Sequence, residues 1–494
     1  MEVFTALLLL IIGFALWMYK KCFNFWSDLG VPQFETSFPS GNAKGIAKDR
    51  HISDFLVEYY EKTKAINARF SGIYLYIRPI MMIADLDLIK TILVKDFNVF
   101  PNRGFYHNEK DDPISAHLFN LEDDPWRLLR QKLTPTFTSG KLKMMFGTIS
   151  EVADKLLLVI DKQIENTGQL EVKDTLARFT TDVIGTTAFG IDCNSLEEKD
   201  SKFYEMGMRI FTPTSSFFSR IMRSNFKKLS QKFHFKLLSE DLANFYMGIT
   251  KQTIDYREKN PQLNRQDFMN ILVELKKEKV VTIEQIAAQS FIFFLAGFET
   301  SSSTMTYCMY ELSINEEIQE KARQSVLEAI KKHGNELTYD AVADMDYLEQ
   351  CVDETLRKYP VVSQLQRTST RDYKIPGSDV IFPKGSALWI PVHAIHHDAS
   401  IYPEPDKFIP DRFTQEEKAK RHPYAYLPFG EGPRICIGMR FGIVETKLGL
   451  AKLLLNYKFT LDRTKTSVPL KISPEAFVLT PSERIFLDIK KIAK

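Results

Sequence analysis

The 494-residue chain has little cysteine, only five residues, and no two are spaced as Cys-x-x-Cys. That excludes a disulfide framework, gives no support to a tetrahedral zinc site, and fits a reducing compartment. Charge of either sign is not in excess: the formal net charge is +2, which argues against a dedicated nucleic-acid binder. No glycine-rich dinucleotide fingerprint is followed by a suitable acid, so no flavin or nicotinamide site is evident on this chain. Internal repeats and low-complexity tracts are absent from it. Beyond the first two dozen residues, no run is long and apolar enough to span a bilayer. That first run has no basic residue before it and no small-residue cleavage site after it, which counts against a secretory leader.

What the chain does have is apolar mass. Hydrophobic residues make up 44%, enough for a large core, and phenylalanine alone accounts for 37. Most of these belong to the core, and the surplus suits a pocket for apolar ligands. Val3 to Tyr19 is an uncharged apolar run. As a helix it reaches roughly 25 Å at about 1.5 Å per residue, just enough to cross a bilayer core. Lys20 and Lys21 follow it, so the positive-inside rule places the remainder in the cytosol. The expected layout is a transmembrane anchor at 1–21, a linker at 22–45 and one large domain at 46–494.

Within that domain helical patterns dominate. One starts near Pro125 and carries Trp126 and Arg130; others cover Met145 to Gln163 and Leu176 to Phe189. The polar stretch from Asp255 to Asp267 reads as a surface loop. Short strand-like pieces occur at Ile73–Ile77, between Gly72 and Pro79, and at Ala387–Pro391. The clearest element runs from Thr282 to about Ile314. It opens with a capping box, TIEQ, and is apolar on several faces, as a helix buried through a whole domain would be. The expected fold is therefore mostly α with small β-sheets.

The most informative segment is Phe429-Gly-Glu-Gly-Pro-Arg-Ile-Cys436-Ile-Gly438. It leads into a helical run from Met439 to Tyr457, so Cys436 sits just before a helix N-terminus. The dipole and free N–H groups there favour a thiolate, which is a strong ligand for a soft or borderline metal. Gly432 and Gly438 lack a Cβ, so the backbone can approach a flat cofactor. Arg434, two residues from the sulfur, can pair with a carboxylate. A lone loop cysteine is more often incidental. The full spacing, F-x-x-G-x-R-x-C-x-G, is what raises it above that: it resembles the haem-binding loop of the cytochrome P-450 superfamily at every defined position. The longer run GEGPRICIGMRFG resembles insect microsomal family six.

Other patterns resemble the same family in the same order. Trp126 and Arg130, spaced i and i+4 on one helix face, are both donors without an acceptor. The family uses such a pair for the haem propionates, and Arg367 resembles a further propionate contact, with Arg103 a weaker one. Ala296-Gly-Phe-Glu299-Thr300 lies inside the long helix. A glycine there is destabilising by about 1 kcal/mol relative to alanine, and threonine can bond back one turn and loosen the helix. Taken alone, it reads better as a small-residue stretch for close packing. It resembles the family's A-G-x-[DE]-T motif, whose acid–alcohol pair, here Glu299 and Thr300, guides protons during oxygen activation. Glu354 and Arg357 share a helix face, and as ExxR they resemble the family motif whose partner is Arg412 in PDRF. Their implied role is structural.

The resemblance implies haem b (iron protoporphyrin IX) bound by Cys436, with Trp126, Arg130, Arg367, Arg434, Phe429, Gly432, Gly438 and Ala296 as cofactor contacts. It implies a monooxygenase for small lipophilic substrates such as insecticides, plant toxins or hormones. Its electrons come from NADPH-cytochrome P-450 reductase, with cytochrome b5 as an optional second donor. Lys132, Lys141, Lys143 and Arg440 are candidate basic contacts for the reductase. The implied location is the endoplasmic reticulum membrane, with the catalytic domain on its cytosolic side. By the same resemblance Phe105, Phe119, Phe211, Phe293, Phe294 and Val362 are candidates for the substrate pocket, and the aromatic stretch holding Phe217 and Phe218 for a membrane contact. Two alternatives stand beside this: a haem-thiolate isomerase or dehydratase that needs no external electrons, and a non-catalytic haem carrier of apolar ligands. The family's proline-rich hinge after the anchor is thin here, as GVPQFETSFPSGN.

Overall fold

The computed structural model describes residues 2–211, 217–260 and 267–492. Its centre is the helix Ile283–Ile314, most of whose 32 residues are buried. The helix starts where its capping box predicts. Thr282 Oγ1 accepts from the Gln285 N–H at 3.2 Å, and the Gln285 side chain accepts from the Thr282 N–H at 3.0 Å. The helix Val172–Ile184 packs along it. Gly297 makes that approach possible, because a Cβ there would collide with the Ile184 side chain. Close helix packing is thus what requires this glycine.

Around this pair lie the helices Asp123–Leu133, Ser139–Thr167, Asp346–Lys358 and Met439–Asn456. Pro125 falls in the first turn of its helix, where a missing N–H costs nothing. The pattern expected over Leu176–Phe189 divides: the α-helix ends at Ile184 and a π-turn, Gly185–Phe189, completes it. The expected surface loop at Asp255–Asp267 begins as the last turn of the helix Glu240–Lys259; residues 261–266 lie outside the described ones.

The sheets are small. Phe70–Leu75 and Arg78–Ile83 form an antiparallel hairpin, and Ala387–Ile390 joins the second strand in parallel, followed by Leu365–Thr368. Pro79 looks like a strand stop in the sequence, yet it lies inside the hairpin opposite Tyr74. Pairing to Ala387–Ile390 starts only at Ile80, so the ladder does not need the missing N–H of Pro79. A three-stranded sheet joins Gln169–Glu171, Phe486–Lys491 and Tyr457–Leu461.

In the N-terminal helix Glu2–Phe23 the described apolar side chains from Phe4 to Met18 are exposed and Phe23 is buried, and among the described residues it is the one helix long and apolar enough to cross a membrane. The stretch 22–45 that follows is packed on the first sheet. Trp26 is fully buried against Gly72, where a Cβ would strike the indole, and its Nε1 donates to Ile73 O at 3.2 Å.

Candidate functional site

A cavity of about 310 Å³ lies between the long helix and the cysteine loop, within the size range of ligand pockets. Cys436 lines it, with its side chain exposed to the cavity and the surrounding protein enclosing it. The Cys436 N–H donates to Phe429 O at 2.9 Å, closing the loop, and the helix Met439–Asn456 begins three residues later. Burial pushes the Cys436 thiol above its ordinary pKa. The Gly438 N–H, then Arg130 and Arg103, act in the opposite direction. The helix start and the nearby cations therefore do not by themselves make the thiolate expected from the sequence; a bound cation at the sulfur would supply the missing stabilisation.

The loop glycines differ in purpose. Gly438 faces the cavity, and a Cβ there would meet only Phe137 at 4.0 Å. Gly432 does not line the cavity. It has φ +73°, and a Cβ would run into the carbonyl of Leu93. Its absence of side chain serves the turn, which corrects the expectation that it lets the backbone approach a cofactor.

The cavity rim gathers Arg103, Arg130, Arg367 and Arg434. Among the described residues no carboxylate pairs with any of the four. Arg434 donates to Pro101 O at 2.7 Å and Leu121 O at 2.9 Å, and its guanidinium lies 3.7 Å from the centre of the Trp126 ring. Arg103 donates to Phe119 O and Arg434 O; Arg367 donates to Gln366 O, and its Nε is buried without a partner. Burial first, then repulsion from Arg103 and Arg367, lowers Arg434 to about 8. Burial and Arg103 lower Arg367 to about 9, and burial with Arg130 lowers Arg103 to about 10. Such a cluster is unfavourable without a counter-charge. A dianionic, flat, largely apolar group with a metal at its centre meets all three needs: carboxylates for the arginines, a cation for the sulfur, and an apolar body for the walls. The residues present fit haem.

On the long helix, Ala296, Gly297, Thr300, Ser301 and Thr304 face the cavity. Thr300 Oγ1 donates back to Ala296 O at 2.6 Å. Glu299, expected beside it as an acid at the cavity, points elsewhere. It is 4% exposed, its carboxylate pairs with Lys173 Nζ at 2.7 Å, and it accepts from Ser303 Oγ at 3.0 Å. Residues on a helix project about 100° apart, and the wall is met by Ala296, Gly297, Thr300 and Ser301, which leaves Glu299 turned toward the helix Val172–Ile184. The acid nearer that wall is Glu445, on the helix Met439–Asn456. It is fully buried, both carboxylate oxygens lack a well-formed hydrogen bond, and its polar neighbour is the Ser301 hydroxyl. Burial raises its pKa to about 8, with Ser301 pulling slightly down.

Glu354 and Arg357 form a bidentate pair at 2.7 and 2.9 Å, both completely buried. Arg357 also donates to His396 O and Pro405 O, and Arg412 approaches Glu354 at 3.4 Å. This network does not line the cavity. It ties the helix Asp346–Lys358 to the segment that leads into the cysteine loop.

Of the expected pocket residues, Phe105, Phe119, Phe293 and Val362 line the cavity. Phe211 and Phe294 do not: Phe294 stacks on Phe298 at 5.6 Å and Phe211 packs on the same ring at 6.2 Å, away from the cavity. Phe294 is a core position and Phe211 is half-buried against the core, which corrects their assignment to the pocket. The side chains of Phe217 and Phe218 lie outside the described ones. Phe137, Gln364 and Phe477 line the cavity without having been singled out. None belongs to a periodic or spaced motif, so no local pattern marks them. Lys143 is paired with Asp340 at 2.7 Å, and Arg440 donates to Ser139 Oγ at 3.2 Å near the start of the cysteine-bearing helix.

Comparison with known proteins agrees with this arrangement. The sequence model of the Cytochrome P450 family matches residues 32–487. The chain is similar to "Probable cytochrome P450 6a14" of Drosophila melanogaster, 43% identical over 99% of each chain. "Cytochrome P450 6a2" of the same organism is 41% identical over the full length of both. "Cytochrome P450 6A1" of Musca domestica is 41% identical over 97% of this chain and 96% of its own.

Proposed function

The chain belongs to the cytochrome P450 family, and from that premise we propose which of its residues serve the family's reaction and on what. It is a haem enzyme, a monooxygenase that draws electrons from a redox partner and acts on lipophilic molecules. We assign the iron ligand to Cys436 Sγ. The observation that carries this assignment is that, among the described residues, one cysteine faces a cavity whose wall holds four arginines with no paired carboxylate. The bound haem supplies reductive activation of dioxygen and transfer of one oxygen atom to the substrate.

The rest is the work of side chains. Arg103, Arg130, Arg367 and Arg434 would hold the two carboxylates of the haem, and Trp126 fixes Arg434 by stacking on it. Phe429, Ala296 and Gly438 present flat or open surfaces. Thr300 Oγ1 places a hydroxyl at the cavity wall, where it can pass a proton inward. Ser301 offers a second hydroxyl, backed by Glu445, which is neutral at pH 7 and so holds a proton ready. Glu299 is held by Lys173 and contributes only when that pair opens. Phe105, Phe119, Phe293 and Val362 exclude water and favour apolar substrates.

The substrates we propose are lipophilic xenobiotics such as insecticides and plant toxins, or endogenous hormones. The electron donor is NADPH-cytochrome P450 reductase. Anchoring by the helix Glu2–Phe23 in the endoplasmic reticulum membrane, with Lys20 and Lys21 on the cytosolic side, places the domain 46–494 within the donor's reach. Retention of Thr300 favours oxygen activation over the isomerase alternative. The test is NADPH consumption and product formation by the purified protein with reductase, using compounds first chosen for shifting the iron's spin state. Protein without bound porphyrin, or product formed equally without reductase, would overturn the assignment.

A further inference from the structure

His51 and Ala476 are 425 positions apart and joined by one hydrogen bond, His51 Nε2 to Ala476 O at 3.2 Å. Because the acceptor is a carbonyl, Nε2 must carry the hydrogen. The other ring nitrogen is fixed independently: Nδ1 accepts from the Ser53 N–H at 3.1 Å, capping the helix Ile52–Ala65. Both bonds require the same neutral tautomer, so the ring is held at both ends. His51 is 2% exposed, and the helix it caps is itself fixed: Phe55, Leu56, Tyr59 and Tyr60 are buried, and Tyr60 OH donates to Asp398 at 2.8 Å. His51 is a rigid post.

What it holds is a loop at the edge of the cavity. Residues 473–480 close on themselves through the Ser473 N–H to Thr480 O at 2.9 Å, and Leu479 N–H donates to Val361 O at 3.0 Å, beside the cavity wall. Between these ties, Ala476 is bonded to His51. The next residue, Phe477, is 61% exposed and yet lines the cavity. A phenyl ring in that position sits at the mouth, with one side toward solvent and the other toward the interior. An exposed ring of this size gains from covering apolar surface, and the loop bond to His51 limits how far it can travel.

We propose that His51 is a positioning residue for ligand entry: its bond to Ala476 sets Phe477 across the cavity mouth, and so sets which lipophilic molecules enter by their bulk. This rests on the reading of the cavity as the ligand chamber above the haem. Substrates slender enough to pass the ring enter freely. Bulky ones wait for the loop to shift.

The variant that isolates this is His51→Asn. Asparagine is a good helix cap and keeps an acceptor for the Ser53 N–H, but its shorter side chain cannot also reach Ala476 O. The probes are imidazole and triphenylmethyl-substituted imidazole, followed by stopped-flow spectroscopy of haem ligation in the full chain. The expected result is association and dissociation of the bulky azole faster by about three- to tenfold, the shift that goes with losing one net hydrogen bond. Imidazole should be unchanged. Phe477→Ala, at an exposed side chain, should give the same selective acceleration, and the double variant no more than either alone. Amide hydrogen exchange in residues 473–480 should quicken in His51→Asn. Equal effects on both azoles, or unaltered exchange in the loop, would overturn the proposal. Failure of the unmutated protein to bind either azole would instead overturn the reading of the cavity.

Discussion

Buried Glu299 and half-buried Lys173 form an ion pair, Oε1 to Nζ 2.7 Å, one residue along the helix from the threonine whose hydroxyl faces the cavity. The lysine also donates to Ser302 and Ser303. The acid named by the motif is thus tied to a neighbouring helix, and the two functions of the motif point in different directions. Removing one partner leaves an uncompensated charge with little water. Glu299→Gln and Lys173→Met should each be destabilising by about 3 kcal/mol or more, and the double variant by much less than the sum. Thermal denaturation of the three proteins measures the coupling, and additive losses would show that the pair does not act as a unit.

Thr300→Ala removes the hydroxyl at the cavity wall and also the back-bond to Ala296 O. If that hydroxyl passes protons inward, NADPH consumption should continue while hydrogen peroxide rises at the expense of product. The ratio of peroxide to product against a fixed substrate is the measurement. Unchanged coupling would assign proton delivery to Ser301 alone.

Much of this was readable from spacing, and the limits of that reading have physical causes. The cysteine loop, the capping box at Thr282 and the Glu354–Arg357 pair are local, so separation along the chain fixes their relative placement. Glu299 was misplaced because a motif gives order, whereas the helical turn between neighbours gives direction. Phe294 was misplaced because a phenylalanine on an all-round apolar helix carries no sign of which face meets the cavity. Glu445 and Phe477 could not be found at all: one needs the absence of a partner, the other a loop brought in from the end of the chain. Pro79 shows the converse, a stop signal overridden because its N–H falls where no strand asks for it.

Arg357 has no exposed surface and fills its donors with Glu354 and carbonyls of residues 396 and 405. Arg357→Leu leaves Glu354 with the 3.4 Å contact to Arg412 and the Ile409 N–H. The expected loss is about 3–5 kcal/mol, enough to stop accumulation of haem-loaded protein. Haem content per chain after expression checks this, and a full complement in the variant would remove the network from any role in holding the cysteine loop.

Cys436→Ser replaces the deep thiol by a hydroxyl of similar size. Cys436 is the one cysteine lining the cavity among the described residues, and the thioether of Met145, which also lines it, cannot become an anionic ligand. The reduced carbon monoxide complex should lose its thiolate-type absorption, while the arginine rim still allows weak porphyrin binding. Retention of that absorption would mean another residue holds the iron.

Glu445 links the site to pH. Its carboxyl is buried with no counter-charge and only the Ser301 hydroxyl beside it, and its pKa is raised from 4.5 to about 8. Between those two values the folded protein holds a proton there that the unfolded chain has released. Stability contributed by this group is therefore complete at low pH and falls as pH rises through that window, by up to about 1.4 kcal/mol per unit, levelling off above the folded value. Glutamine has nearly the same shape and does not titrate. The advantage of Glu445→Gln over the unmutated protein should accordingly grow from mildly acidic to mildly alkaline pH, which a series of melting temperatures would follow. A difference that stays flat across that range would show the carboxylate to be ionised and solvated in the folded state. The same variant separates two sources of protons. If Glu445 feeds the cavity through Ser301, product formation should lose its alkaline limb in Glu445→Gln while the spin-state response to substrate is kept; if Thr300 suffices, the pH profile should stay as it was.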